Sequence, residues 1–400
     1  MAEVELKKTK KHKSLAKSEN GRLILTALIA IVLAFLVAIL VMLATGIKPG
    51  NFFSALLRTF TGLDFSKAGT DAFFKPRYVG EFIQISLPLI MTGLSLGFAY
   101  RCGLFNIGAE GQVIAGILGA NLVAILVPWQ SKSLAVLAVL AAGLFGALWA
   151  LIPGLLKAHL GVSEVVSTIM FNYMAIYLSN AVLKALPGSN TQRTIDLPDQ
   201  AMLTSPWLRE ITGNSRLHWG ILIILICIPL YNILLNRTSF GYEIRAVGFN
   251  RDAARYAGMK VKSRIVASMM ISGLFAGLAG ACLALGTFKY GRILPGFENY
   301  GFDGIAVGLL GGTKGVGILL AGLLMGGLRS GQALMQAQRV PLEIAQIVSA
   351  LIVLFVAMQK AIDFILSRMA KKRRLEAQEM KTQEAADNNP KPAKEEEGGK

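Results

Sequence analysis

Long apolar stretches separated by polar connections run through most of the sequence. The first, residues 24–46, carries no charged side chain, and roughly 20 apolar residues are enough for a helix to cross about 30 Å of hydrocarbon. Comparable stretches lie at residues 79–100, 104–127, 133–156, 162–184, 217–235, 265–286, 301–312, 315–331 and 341–364. The pattern therefore predicts an all-α, polytopic membrane protein with about ten transmembrane or half-membrane helices, in a domain over residues 24–364.

The glycine-rich stretch at residues 301–312, GFDGIAVGLLGG, decides the count of crossings. It is too short to span a bilayer alone, so it is expected to be a half-helix or a re-entrant segment whose backbone is sheltered by protein or faces a water-filled cavity. If it completes a crossing, an even number of spans returns the two termini to one side. If it does not, the count becomes odd and the termini separate.

Composition and charge agree with a membrane location. The chain is 54% hydrophobic and only 16% charged, with a mean hydropathy of +0.54. A net charge of +17 could suggest nucleic acid as a partner, but the basic residues gather at residues 1–23, just after the last apolar stretch, and in one loop. Under the positive-inside rule these regions are cytoplasmic, so we expect membrane lipid and no nucleic acid as the surroundings of this chain.

Two long polar connections differ in charge as opposite faces of a membrane require. Residues 187–216 carry balanced charge and are expected outside, whereas in residues 236–264 basic residues far outnumber acidic ones, which predicts a cytoplasmic loop. Residues 365–400 begin with basic residues and continue as a lysine-, glutamate- and proline-containing stretch without an apolar period. We expect a cytoplasmic, solvated and disordered tail there.

Catalytic chemistry has little support in the sequence. No G-x-x-x-x-G-K-[ST] phosphate loop occurs, and the 3 histidines and 3 cysteines are scattered without metal-ligand or catalytic spacing. No nucleophile elbow appears either. We therefore expect a transport component that neither hydrolyses ATP itself nor holds a metal.

Polar residues inside the apolar stretches are candidates for a translocation path, since an ionisable side chain at mid-membrane costs roughly 2.5–3.5 kcal/mol on insertion scales. On a helix over residues 104–127, a first stripe would fall within roughly 60°, and Gln112 lies in the same stretch. A second, in residues 162–184, would fall within about 80°. The first stripe is Asn106, Glu110 and Asn121, and the second is Glu164, Thr168, Asn172 and Ser179. Such stripes either bond neighbouring helices or line a hydrated path, and the sequence leaves both possibilities open.

The cytoplasmic loop contains a short alanine-rich segment from Asn250 to Ala257, followed by Gly258. The pattern predicts a brief helix, in which Asn250 or Asp252 caps the free N–H groups at its start and Gly258 adopts the left-handed conformation at its end. An ordinary amphipathic helix on the membrane surface would have the same pattern.

Four stretches resemble a known family. They are GLFNIGAEGQ at residues 103–112, SEVVSTIMFNY at 163–173, GYEIRAVGFNRDAARYAGM at 241–259 and GFDGIAVGLLGG at 301–312. The sequence resembles the permeases of ABC importers for branched-chain amino acids, ribose and nucleosides, over about residues 80–360, and GLFNIGAEGQ is most similar to the nucleoside type. In that family a short cytoplasmic coupling helix seats in a groove of the ATPase subunit. By resemblance, Asn250, Arg251, Asp252, Ala253, Ala254 and Gly258 carry this contact, although many such permeases have Glu-Ala-Ala where this chain has Asp-Ala-Ala.

The resemblance also implies partners and a function. It implies a subunit of the plasma membrane that moves nucleosides, works with a second permease subunit, identical or different, and is fed by an extracellular substrate-binding lipoprotein. ATP and magnesium would belong to the cytoplasmic ATP-binding subunits. Alternatives are an ABC permease for a sugar or an amino acid, an ion-coupled secondary transporter with Glu110 and Glu164 as a relay, or a membrane anchor without transport.

Overall fold

The computed structural model describes residues 19–65, 69, 73–358 and 368, so the predictions for residues 1–18, 359–367 and 369–400 lie outside the described residues. The described chain is mostly helical with two short strands, as the all-α prediction expects. Its described residues divide into two units, one of residues 19–33 with 354–358 and 368 and the other of Ala34–Val353. The helices are α1 (Glu19–Ala44), α2 (Pro49–Thr61), α3 (Pro76–Arg101), α4 (Ala109–Leu126), α5 (Ser133–Leu160), α6 (Glu164–Lys184), α7 (Pro206–Ile211), α8 (Gly220–Asn236), α9 (Ser239–Phe249), α10 (Arg251–Tyr256), α11 (Val261–Ala281), α12 (Tyr300–Leu310), α13 (Gly315–Ala337) and α14 (Leu342–Ala357).

Within the described part of the chain, six helices are long and apolar enough to cross a membrane: α3, α4, α5, α6, α11 (with the π-helical turn Cys282–Thr287 that continues it) and α13. The pair α8 and α9, bent by 69°, makes a seventh if it counts as one span. Three further apolar helices are shorter: Leu28–Ala44, Tyr300–Leu310 and Leu342–Phe355. A multi-pass membrane protein is therefore confirmed, whereas about ten spans stays a prediction.

The unit Ala34–Val353 has two opposite ends, which α5 separates by about 42 Å at 1.5 Å per residue. Lys132, just before α5, donates from its Nζ to the backbone oxygen of Asp199, 2.6 Å away. His159, in the last turn of α5, lines the same groove as Arg255 and Met259. We call the first end, with residues 187–219, the loop end, and the second the α10 end.

Close glycine contacts hold the central helices together. A β-carbon on Gly277 of α11 would collide with the carbonyl oxygen of Ala142 in α5, and one on Gly326 of α13 would collide with Ser86 of α3. Small residues allow helix backbones to approach in this way. The central α3 and α4 are 89% and 78% buried over their most apolar windows, while α5 and α6 are 39% and 33% buried and present leucines and valines outward.

Several predicted boundaries need correction. Helix α4 begins at Ala109, so Asn106 lies in the preceding turn and the prediction that it shares a helix with Asn121 is wrong. Gly103, with a φ of +71°, turns the chain between α3 and α4. The helix predicted from residue 104 therefore begins later, at Ala109. Helices α2 and α9 were not predicted, and the 11-residue α12 begins one residue before the glycine-rich stretch and ends before its last two residues.

Candidate functional sites

A half-length helix, α12, begins inside the domain and is capped by a buried carboxylate. The Oε1 atom of Glu110 accepts from the backbone N–H groups of Glu298 and Asn299, both at 2.9 Å, and Oε2 accepts from that of Gly301 at 2.5 Å. Glu110 is 1% exposed. All three partners are donors, which suits the acceptor-only ionised form, and a negative charge is favourable at a helix N-terminus.

The chain before α12 is extended and reaches back to the loop end. Its strand β2 (Tyr290–Arg292) pairs antiparallel with β1 (Arg193–Asp196) of the polar connection. At the far end of α12, the carbonyl oxygen of Thr313 accepts from the hydroxyl of Tyr231, near the end of α8, at 2.8 Å. Residues 288–313 thus run from the loop end towards the α10 end as an extended half followed by a helical half.

The polar side chains around the start of α4 bond to one another. The Nδ2 atom of Asn106 donates to Gln112 Oε1 at 2.9 Å and to Ser272 Oγ of α11 at 2.8 Å, and its Oδ1 accepts from the N–H of Gly108 at 2.9 Å. Ser272 in turn donates to the carbonyl oxygen of Ser95 in α3 at 2.8 Å. These satisfied hydrogen bonds tie α3, α4 and α11 together, which is the role of interhelical glue.

The second stripe, in α6, has partners as well. Asn172 donates to the carbonyl oxygen of Ile107 at 3.0 Å and accepts from the N–H of Gly111 at 2.7 Å. Glu164, the first residue of α6, pairs with Lys157 of α5 at 2.7 Å, and Thr168 donates to the carbonyl oxygen of Val165 at 3.3 Å. Asn172 and Glu164 therefore bond to neighbouring elements, Thr168 bonds within its own helix, and Ser179 is buried.

Asn121 differs from the other buried amides. It is fully buried in α4, yet neither Nδ2 nor Oδ1 has a hydrogen-bond partner among the described residues. Leaving a buried polar group unsatisfied costs roughly 1–3 kcal/mol, and such groups are rare in native structures. Asn121 borders a cavity of about 10 Å³ next to the extended half before α12. The other walls of this cavity include the apolar Ile117 and Leu283 and a charged pair, Arg292 and Glu298.

That charged pair belongs to a network at the start of α12. Arg292 forms an ion pair with Glu298, and Arg329 of α13 bonds both Asp303 at 2.7 Å and the carbonyl oxygen of Glu298 at 2.8 Å. Sequence reasoning did not single out Arg292, Glu298 or Arg329, because their partners lie 6 to 31 positions away along the chain. No metal-binding group of His, Cys, Asp and Glu occurs in the described ranges.

The α10 end presents a short, capped helix to solvent. Asn250 accepts at Oδ1 from the N–H groups of Asp252 and Ala253, both at 3.0 Å, and Gly258 has a φ of +79°. This confirms the predicted caps. Arg251 donates to the carbonyl oxygen of Gly103 at 3.2 Å, which seats α10 on the connection between α3 and α4.

Two aromatic residues, one just before this helix and one at its last position, stand in solvent. Phe249 is 93% exposed and Tyr256 is 94% exposed. Their signal in the sequence is one aromatic residue just before the capped segment and another near its end, in a predominantly basic loop. Aromatic residues are enriched among the few side chains that dominate protein–protein interfaces.

Comparisons with known proteins fit this architecture. Residues 78–357 match the family described as the permease component of branched-chain amino acid transport systems. The guanosine ABC transporter permease protein NupP of Bacillus subtilis is 42% identical over 87% of this chain and 97% of its own length. The nucleoside ABC transporter permease protein NupB of Lactococcus lactis is 35% identical over 92% of this chain and 100% of its own. The glucose ABC transporter permease protein TsgB13 of Haloferax volcanii is 32% identical over 69% and 74% respectively.

Proposed function

The chain belongs to the family of permease components of branched-chain amino acid transport systems, and from this premise we propose that it is the permease subunit of an ABC importer that moves nucleosides across the plasma membrane. The similarity to the guanosine and nucleoside permeases over nearly their full lengths supports the substrate class. The subunit transports and does not catalyse; ATP and magnesium bind to cytoplasmic partner subunits.

The exposed capped helix α10 is the observation that carries the proposal. An ATP-driven importer needs a rigid element through which the ATPase moves the membrane domain. Asn250 fixes the start of α10 and Gly258 its end, while Arg251 anchors it to the connection before α4. Phe249 and Tyr256 would fill pockets of the ATPase as the anchors of a helix-in-groove contact.

Movement of α10 reaches the core through short connections. Gly248 packs against the carbonyl oxygen of Arg101 at the end of α3, and the turn that follows holds Asn106 and leads into Glu110. A shift of α10 on ATP binding would therefore displace the start of α4 and, through the Glu110 carboxylate, the start of α12. Alternation between outward-open and inward-open states would follow from this displacement.

The translocation path runs, in this proposal, along the polar residues of α4 and α6. Asn106, Glu110, Gln112, Glu164, Thr168 and Asn172 hold the walls of the path through the hydrogen bonds and the ion pair described above, and Asn121 faces it. The extended half before α12 forms the side of the path towards the loop end.

The arrangement in the membrane completes the proposal. The α10 end, with its basic loop at residues 236–264, faces the cytoplasm together with both termini, and the loop end receives an extracellular substrate-binding lipoprotein. A second permease subunit, identical or different, completes the membrane domain.

The test is uptake by the complex purified from its native membrane and reconstituted in liposomes with the lipoprotein. We expect uptake of radiolabelled guanosine that requires ATP and is competed by other nucleosides. Uptake that is competed by glucose instead would favour a sugar permease, a possibility that the 32% identical glucose relative supports. Uptake driven by an ion gradient without ATP would refute the proposal.

The role of α10 is tested separately with Phe249→Ala and Tyr256→Ala in one chain. The double variant is expected to lose most of the co-purifying ATPase subunit while the permease stays in the membrane. Trp207→Ala, which removes a 58% exposed ring at the loop end, is the matched control and should retain the ATPase. Full retention by the double variant would contradict docking through α10.

A further inference from the structure

An unpaired amide lies beneath an open cavity at the loop end. The cavity measures about 500 Å³ and is lined by residues of β1, of the extended half and of α13. This size falls within the roughly 300–1,000 Å³ of small-molecule sites. Its walls include the side chains of Tyr290, Arg292, Leu294 and Glu298, which also border the small cavity at Asn121. The two spaces therefore share one partition.

The backbone of β2 packs directly against the buried Asn121 amide without placing a side chain on it. Gly291 lies across from it, and a β-carbon there would stand 3.1 Å from both Cγ and Nδ2 of Asn121. Strand β2 is held in this position by its own contacts, since the N–H of Gly291 donates to Thr194 Oγ1 at 2.8 Å. The neighbouring Asn180 bonds Leu294 through both its donor and its acceptor. Asn180, Asn106 and Asn172 are thus occupied, and Asn121 stands apart from them.

We propose that Asn121 is a specificity-determining residue that pairs with the base of a nucleoside entering from this cavity, an inference that rests on the proposed function. An asparagine amide presents an NH₂ donor group beside a carbonyl acceptor in one plane, which is the arrangement that recognises a nucleobase edge through two hydrogen bonds. Phe297 and Tyr290 on the cavity wall supply aromatic rings against which a base can stack.

The ion pair between Arg292 and Glu298 forms the charged part of the partition between cavity and amide. Arg292 also lies over the ring of Phe288, with 3.8 Å between its Cζ and the ring centroid. Glu298 is the residue whose backbone N–H is held by Glu110. Rotation of the Arg292 side chain would join the two spaces, and the position of Glu298 links this opening to the start of α12. The base then reaches the Asn121 amide on its way towards α12.

The experiment measures initial uptake of guanosine, adenosine, cytidine and uridine by liposomes containing the complete complex. Three permeases are compared with the unchanged chain: Asn121→Leu, Gly291→Ala and, as the matched control, Asn172→Leu. Because the lipoprotein is the same in all of them, a change in relative rates among the four nucleosides reports the permease alone. Folded complex is quantified in each preparation.

In Asn121→Leu we expect normal amounts of complex and a rate for the preferred nucleoside that falls at least fivefold more than the rate for the least preferred one. Gly291→Ala, which presses a methyl group on the amide, should change the relative rates in the same direction by a smaller factor. Asn172→Leu breaks two structural hydrogen bonds, so it should reduce the amount of complex and lower all four rates by one factor.

Rates that scale by one common factor in both Asn121→Leu and Gly291→Ala would overturn the inference while leaving the proposed function intact. If Asn121→Leu yields no folded complex, the outcome of Gly291→Ala decides in the same way. Absence of ATP-dependent nucleoside uptake by the unchanged complex would instead overturn the proposed function, and with it this site.

Discussion

Glu110 provides the sharpest test of how the half-length helix is held. We predict that Glu110→Gln destabilises the membrane domain without changing the amount of protein inserted. In the folded chain the carboxylate accepts two N–H groups at Oε1 and one, from Gly301, at Oε2. A glutamine keeps one acceptor oxygen, but its NH₂ group must face the donor of Gly301 or the other two donors.

The magnitude follows from the hydrogen bonds that are lost. A hydrogen bond to a charged group contributes roughly 1.5–3 kcal/mol, and the glutamine loses at least the bond to Gly301 and opposes one donor with another. We therefore expect a loss of about 2–3 kcal/mol, which corresponds to a fall of roughly 3–6 °C in the melting temperature of a domain this large. Intrinsic fluorescence of the detergent-solubilised complex, followed during heating, measures it.

Glu164→Gln is the matched control, because it is the same exchange in the first turn of another helix. Glu164 pairs with Lys157 in a partly exposed position, and such pairs contribute about 0–1 kcal/mol. Its melting temperature should stay within about 2 °C of the unchanged chain. Equal melting curves for Glu110→Gln and the unchanged chain would refute the capping role. If Glu110 were instead an ion relay, the exchange would leave stability unchanged and abolish gradient-driven uptake.

Two further perturbations test the packing and the pH response. Gly277→Ala forces a methyl group against the carbonyl oxygen of Ala142, so we expect a loss of about 1–3 kcal/mol and less monodisperse protein after mild heating in size-exclusion chromatography. Gly50→Ala, with open space at its β-carbon, should show no loss, and equal behaviour of the two would contradict close packing of α5 on α11. Burial lowers the pKa of His218, before α8, to about 4. As the pH falls below about 6.5, His218 takes up a proton in the unfolded chain but not in the folded one, so the free energy of unfolding should drop by about 2 kcal/mol from pH 7 to pH 5. In His218→Gln, the melting temperature should no longer show this contribution to its pH dependence.

The hydrophobic pattern predicted most of the helices because a bilayer demands long apolar runs with internally bonded backbones. Helix α5 begins at Ser133, where the apolar run begins, and α13 begins at Gly315 as predicted. The amphipathic α2 was missed because its apolar residues are too few to register as a membrane span. Its buried face of Phe52, Ala55, Leu56 and Thr59 is a helical pattern that a search for continuous hydrophobicity overlooks.

The short capped helix was predictable in detail because its signals are local. Asn250 and Gly258 act through backbone groups two or three positions away, and their residue types specify those conformations. The cap of α12 was not predictable, since Glu110 reaches residues 188 to 191 positions away. No periodicity in either segment encodes that meeting.

The polar residues within the apolar stretches show why helical spacing alone cannot separate glue from path. Asn106, Asn172 and Asn121 look alike in the sequence, as amides among small and apolar residues, yet the first two use both their amide nitrogen and their oxygen in hydrogen bonds and Asn121 has no partner among the described residues. An amide that ties helices together offsets the free-energy cost of its insertion into the membrane through the hydrogen bonds it forms in the fold. A leucine of similar size would fill the place of Asn121 without that cost, which agrees with the inference that the amide serves a group that reaches it during transport.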